Sequence, residues 1–281
     1  MSRDPASRKM VKEAGMQIKA GNEKSAGDHD DPISAARYET AEADEGKAGG
    51  GAGGILDFFS VLWSRVGDLP FWAREVVRKS LHIGVVILAL PIRWTGWWYG
   101  LVFAAAAMAW NGYGMPRYFR FTFRDEENQV GYSRGMLSYP VMVFILIIFF
   151  PLPIAASQWA TLSFGDGFAT LIGRFWGKRS LPWNRDKTYA GVLAFLVMGS
   201  LGSIFFFWFS LPNAGASSWL WAGSPLLAHV QAISFARVIL ICVLSTAAAA
   251  FFESVPIPHI DDNIAAPFAG AVTKLALCFL V

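Results

Sequence analysis

The stretch Thr188–Ser210 runs for 23 residues without a lysine, arginine, aspartate or glutamate. A helix of that length crosses the hydrocarbon of a bilayer, which asks for about 20 apolar residues at 1.5 Å each. Six further apolar runs share the chain: Ser80–Ile92, Trp97–Trp110, Met136–Phe150, Ile154–Ile172, Ile233–Phe252 and Ile264–Val281. Backbone polar groups in lipid must be satisfied within the segment, so the runs are predicted as helices. The first two are short for a bilayer and are expected to extend into their flanks or to be shielded by other helices. The predicted fold class is therefore all-α: a polytopic integral membrane helical bundle of about seven transmembrane helices. Composition agrees, because charged residues make up only 16% of the chain, against about a quarter in soluble domains.

Outside the runs the chain changes character. Residues 1–54 are rich in Ala, Gly, Asp, Glu and Lys and end in "GKAGGGAGG". Such a stretch buries too little apolar surface to offset its ordering entropy, so it is expected to be a disordered polar tail. Residues 55–79 are read as an N-terminal interfacial amphipathic helix and a basic linker, since Asp57, Ser60 and Ser64 share one side of "ILDFFSVLWSRV". Residues 80–281 form the membrane domain. No apolar core lies near residues 10–25, so no cleavable signal peptide is expected. Cys242 and Cys278 fall inside apolar runs and read as small buried hydrophobes, with neither a disulfide nor a zinc site.

The charges are unevenly placed. Residues 1–47 hold 8 Lys/Arg and 10 Asp/Glu, so the net charge of +3 leaves the remainder at about +5. That balance suits anionic headgroups or a phosphorylated substrate and is too weak to imply a nucleic-acid partner. Arg74, Arg78 and Lys79 precede the first run. Arg117, Arg120, Arg124 and Arg134 lie between the second and third, and Arg174, Lys178, Arg179, Arg185 and Lys187 between the fourth and fifth. By the positive-inside rule these segments are cytoplasmic, with the N-terminus inside and the C-terminus outside. Asp166, His82 and "ESVPIPHIDDN" (Glu253–Asn263) then fall on the same face. The outer half retains only Arg237, read as a snorkelling residue. The tryptophans near the outer boundaries read as an interfacial belt.

Three constellations carry candidate chemistry. Asp166, between Gly165 and Gly167, is an ionisable group inside a predicted span, which points to a polar cavity or a charged partner. Gly165, Ala169, Gly173 and Gly177 form a small-residue face suited to close helix packing or to a phosphate near the backbone. The basic loop offers Arg174, Lys178 and Lys187 to phosphate oxygens, and Thr188 and Gly191 open the next helix, where free N–H groups favour an anion. "GRFWGKRS" does not have P-loop spacing. Glu253, Asp261 and Asp262 could hold a divalent cation or take a proton, whereas His259 reads as a surface or capping residue.

Taken in order, "RKSLHIG" (Arg78–Gly84), "SRGMLSYP" (Ser133–Pro140), "GDGFATLIGRFWGK" (Gly165–Lys178), "LPWNRDKTYAG" (Leu181–Gly191) and "ESVP…DDNIAAP" (Glu253–Pro267) resemble the CTP-dependent polyprenol kinases. That family includes dolichol, phytol and farnesol kinases and a CTP-dependent diacylglycerol kinase. The layout is closest to the shorter phytol-kinase-like members of bacteria and plastids. "DDNIAAP" departs mildly, with alanines where bulkier apolar residues are usual. The resemblance implies a transmembrane kinase domain over residues 80–281 that moves the γ-phosphoryl of CTP to a lipid alcohol, with Mg²⁺ or another divalent cation. It implies an active site on the cytoplasmic face of a membrane, in a bacterium the inner membrane. It assigns catalysis to Asp166, Lys187, Asp262 and Glu253, and metal binding to Asp166 and Asp262. Nucleotide binding falls to Arg174, Gly177, Lys178, Asn184, Lys187, Thr188, Gly191 and Asn263. Arg78, Lys79, His82 and Arg134 would support the phosphates or the substrate. Two other readings are a phosphatidate cytidylyltransferase, whose Gly-, Asp- and Arg-rich signature is absent, and a transporter or channel with Asp166 in its path.

Overall fold

Helices stand at each of the seven apolar runs in the computed structural model, which describes residues 69–118, 123, 127, 130–258 and 260–280. The polar tail, the interfacial helix at 55–66, Arg120, Arg124 and His259 lie outside the described residues. In chain order α1 is Phe71–Gly84, continued by a 3-10 segment, Val85–Ala89. α2 (Ile92–Thr95) is followed by α3 (Trp97–Ala109), a π-helical segment (Trp110–Gly114) and α4 (Met115–Tyr118). α5 is Arg134–Phe149. α6 (Leu152–Ala160) passes through a second π segment (Thr161–Asp166) into α7 (Gly167–Trp176). α8 is Tyr189–Ser210, α9 is Pro225–Gln231, α10 is Phe235–Ser254 and α11 is Asp262–Leu280. No strand occurs among the described residues; Ser180 and Thr188 form an isolated antiparallel bridge.

Among the described residues, three helical segments are long and apolar enough to cross a membrane: Tyr189–Ala216, Phe235–Ser254 and Asp262–Leu280. This is fewer than the seven expected, and the reasons are physical. The first run is broken into α1, a 3-10 turn and α2 by Pro91 and by Gly96, whose φ of 77° ends the helix. The α6–α7 helix is long enough, but it carries Ser157, Gln158, Thr161, Ser163 and Asp166, all buried. A helix surrounded by protein need not be apolar, because its neighbours rather than lipid meet its side chains. α8, α11, α5 and α1 pack around it, and α10 packs on α8 and α11. The core follows from that arrangement: Trp159, Leu152, Ile154 and Leu162 of this helix, with Met142, Leu146, Phe207 and Ile241 from its neighbours, are fully buried.

One ionisable side chain in the interior has no counterpart in the sequence reading. Lys274 of α11 is 0% exposed, and its Nζ donates to Ser157 Oγ at 2.8 Å and Ser203 Oγ at 2.6 Å. The expectation that Arg237 alone occupies the far half of the bundle is thereby corrected. Gln158 and the hydroxyls of Ser200 and Thr246 are buried in the bundle too, without hydrogen-bond partners among the described residues. Desolvating an ammonium costs several kcal/mol, and two hydroxyl acceptors return only part of it. Lys274→Met is therefore expected to raise the melting temperature in detergent, by the equivalent of about 1–3 kcal/mol. Ser203→Leu, which strips an acceptor from the retained ammonium, is expected to lower it.

Candidate functional site

Asp166 ends the π segment of the central helix, and its setting explains the glycines on either side. A Cβ at Gly167 would come within 2.3 Å of Ile83 Cγ1 of α1, and one at Gly165 within 2.9 Å of the Phe195 ring of α8. The two glycines thus let α1 and α8 close on the helix at the aspartate. α1 thereby brings Lys79 Nζ to 2.6 Å and His82 Nε2 to 3.3 Å from Asp166 Oδ2. Thr170 Oγ1 donates to Oδ1 at 3.4 Å. His82 packs edge-on against Tyr139 of α5, whose hydroxyl meets Ser163 Oγ at 2.6 Å and accepts from Trp159 Nε1 at 2.7 Å. Both π segments border this region, the first supplying Trp110 and Asn111; such local widening recurs at functional sites.

The second cluster is built by the loop between α7 and α8. Leu181 N donates to Lys187 O, Lys187 N to Asn184 O, and Asp186 N to Asn184 Oδ1, so the loop folds back on itself. Asn184 Nδ2 and Trp183 Nε1 anchor it to Ser254 at the end of α10, donating to Ser254 O and Oγ at 3.1 and 3.3 Å. Lys187 is delivered between two carboxylates, donating to Glu253 Oε1 and, at 2.9 Å, to Asp262 Oδ2. Burial alone would lower the Lys187 pKa. The Glu253 and Asp262 carboxylates outweigh it and hold the ammonium above the ordinary lysine range. Beside them Asp261 Oδ1 accepts from Ser138 Oγ at 3.1 Å and from Asn263 N at 2.9 Å, tying the start of α11 to α5.

Both clusters open onto one cavity of about 1260 Å³. Its polar end holds Arg78, Lys79, His82, Arg134, Asp166, Lys187, Asp262 and Asn263 from the predicted set, with Glu75, Glu127, Asp186 and Asp261 beside them. Arg78 pairs with Glu75 at 2.6 Å, while its buried Nε has no acceptor among the described residues. The other predicted residues stand elsewhere. Glu253 reaches the cavity only through Lys187. Arg174 and Lys178 are exposed at and beyond the end of α7, outside the lining. Gly173, Gly177 and Gly191 serve helix packing: a Cβ at Gly173 would meet Thr188 Oγ1 at 3.1 Å and Gly191 Cα at 3.4 Å. Thr188 caps α8, its hydroxyl accepting from Gly191 N at 3.1 Å. Tyr139 and Glu75 were not singled out as site residues in the sequence, and Asp261 was read only as one of the acidic loop's candidate carboxylates. The "SYP" inside the third run, a tyrosine among aliphatics, was the available signal for the first.

Among the described residues no group of three or more His, Cys, Asp or Glu is gathered as a metal site. The cavity nevertheless fits a divalent cation that arrives with a phosphate. Six carboxylates against four fixed Lys/Arg charges line it, so a polyphosphate would be repelled without an added cation. Mg²⁺ needs only one or two carboxylates when phosphate oxygens and water complete its shell.

No family model matches the chain, and no solved structure matches it. Curated proteins do. A protein named probable phytol kinase 3, chloroplastic, from Glycine max is 26% identical over 258 residues, covering 86% of this chain and 72% of that protein. The farnesol kinase, chloroplastic, of Arabidopsis thaliana is 26% identical over 236 residues, covering 78% and 71%. A probable phytol kinase of Triticum aestivum is 30% identical over 147 residues, covering 51% and 44%. Relatives so named, matching over much of its length, support placing the chain in a polyprenol kinase family.

Proposed function

We propose that the chain transfers the γ-phosphoryl group of CTP to an isoprenoid alcohol, with the reaction at the polar end of the cavity. The homologues support a phosphotransferase acting on an alcohol; the nucleotide and the roles of the residues are our reading. The observation that carries it is the single cavity in which Arg78, Lys79 and Lys187 meet Asp166 and Asp262 next to an apolar wall. Phosphoryl transfer asks mainly for positioning and charge neutralisation. Arg78, with its unpartnered Nε, and Lys79 bind phosphate oxygens. Asp166 and Asp262 would hold Mg²⁺, which would offset charge on the phosphates. Lys187, fixed by Glu253 and Asp262, faces the transferring group, and the carboxylates nearest the alcohol accept its proton as its oxygen bonds to phosphorus. The bond from the γ-phosphorus to the bridging oxygen breaks, and CDP leaves. Arg174 and Lys178 lie outside the cavity lining, at its approach, and suit the nucleotide's distal part.

The apolar helices suggest membrane association, and we place the polar end at the cytoplasmic face by the basic loops. The named relatives are chloroplast proteins, so they lend no support to the expected bacterial inner membrane. The test uses purified full-length protein in lipid, with labelled CTP or ATP and a panel of phytol, geranylgeraniol, farnesol, dolichol and diacylglycerol. A lipid monophosphate with CDP, formed from CTP at least tenfold faster than from ATP, is the expected result. Release of pyrophosphate with a CDP-lipid, or no lipid phosphate from any alcohol, overturns the proposal.

A further inference from the structure

The cavity has a second end that phosphoryl chemistry does not need. On α1 its lining passes from Arg78 through His82 to Val85, just past the helix. On α5 it passes from Arg134 through Tyr139 to Val143, and on α3 the order is reversed, from Ala104 and Ala107 to Asn111. Each helix therefore lays down the same gradient, polar to apolar, over seven to nine residues. That is about 10–14 Å of helix. The reversal on α3 matches helices that run in alternate directions around one axis. Between the ends, the face of α3 that meets the cavity carries Phe103 and three alanines, of which Ala104 is fully buried and Ala107 half-buried. The cavity also opens sideways, since the lining residues Leu81 and Trp110 are 51% and 49% exposed.

We infer that the apolar end receives the isoprene units next to the reacting hydroxyl, and that Ala107 sets how bulky and how long that part of the chain can be. The inference rests on the proposed kinase reading and deepens it by naming a specificity-determining residue. The gap beside Leu81 and Trp110 lies level with the polar residues, so a chain that runs past Ala107 goes on to the apolar end between Val85, Ala104 and Val143. A methyl side chain there leaves the bore open, whereas a ring would close it between the hydroxyl's position and the apolar end. A short alcohol ends before the obstruction; a long one must pass it.

The experiment compares kcat/KM for geraniol and geranylgeraniol, ten and twenty carbons long, in wild type, Ala107→Phe, Ala107→Val and Ala105→Phe. Ala105 is exposed and lies outside the cavity lining, so it reports on crowding α3 in general. We expect the geranylgeraniol-to-geraniol ratio to fall at least tenfold in Ala107→Phe and by a smaller factor in Ala107→Val. It should be unchanged in Ala105→Phe. A ratio that stays at the wild-type value in both Ala107 variants, or that falls equally in Ala105→Phe, overturns the inference. If Ala107→Phe does not fold, Ala107→Val decides it. A wild type active on either alcohol keeps the kinase reading whatever the ratios do. A wild type inactive on every alcohol removes that reading and this inference with it.

Discussion

Asp166→Asn is expected to lower lipid phosphorylation at least a hundredfold, with the protein still folded. The carboxylate is 6% exposed and held by Lys79 at 2.6 Å, so the change also leaves a buried ammonium without its counter-charge. Breaking a buried pair from one side typically costs about 3–5 kcal/mol, and the melting temperature of Asp166→Asn should fall. Loss of activity alone would therefore not separate a catalytic aspartate from a structural one. The double variant Lys79→Met/Asp166→Leu separates activity from stability, because it replaces the pair with apolar side chains and removes the orphaned charge. Stability should return toward wild type in the double variant, and activity should not. A double variant that regains both would reduce Asp166 and Lys79 to helix packing. Lys79→Met with Asp166 retained should lose activity as well, with KM for CTP rising, since Lys79 is assigned to the phosphates.

Much of this arrangement was legible in the sequence, for reasons that differ by element. Six of the seven apolar runs became helices with ends within a few residues of those predicted, because burial in lipid or protein leaves a long apolar segment no other way to satisfy its backbone, whereas the first begins earlier, at Phe71, and is broken. Segments 211–231 read only as an uncharged connection, yet contain α9 and two 3-10 turns. Those are stabilised by Pro225 at the start of α9 and by Ser217 and Ser218, which bond to backbone of other elements. The convergence of Asp166 with Lys79 and His82 was foreseen only as a shared membrane face; the pairing depends on Gly167 admitting Ile83, a contact between residues more than eighty positions apart. The small-residue face offered two uses, and the structure shows one, the packing of Gly173 on Gly191. Arg174 and Lys178 look like the strongest phosphate ligands when counted along the chain. Their helix ends outside the cavity, while Arg78 and Lys79, which read as an ordinary basic flank, line it. Lys274 escaped notice because a single lysine scarcely alters the hydropathy of a nineteen-residue helix.

The second large effect belongs to Lys187. Lys187→Ala leaves Glu253, 6% exposed, facing Asp262 with no cation between them. Asp262 is 45% exposed and water can screen it, so most of the penalty falls on Glu253; a loss of about 3 kcal/mol, the low end for a broken buried pair, is expected in thermal or denaturant unfolding. The loop from 177 to 188 would lose its charged contact with α10 and α11 and keep only its bonds from Trp183 and Asn184 to Ser254, and phosphorylation should fall by at least a hundredfold. The pH dependence has a definite sign. The pKa of Lys187 is raised in the folded protein, so the ammonium stabilises the fold fully below the ordinary lysine value of about 10.4. That contribution fades only as pH climbs through the higher folded value. Wild type should therefore show no loss of stability from this group between neutrality and pH 10. Adding Glu253→Gln to Lys187→Ala removes the buried negative charge and should recover at least half of the lost stability. If the lysine acts only as a strut, activity returns in that double variant in proportion to the folded fraction. If it faces the transferring phosphoryl group, kcat stays low in fully folded protein, and Lys187→Arg, which keeps the charge, restores more activity than Lys187→Gln.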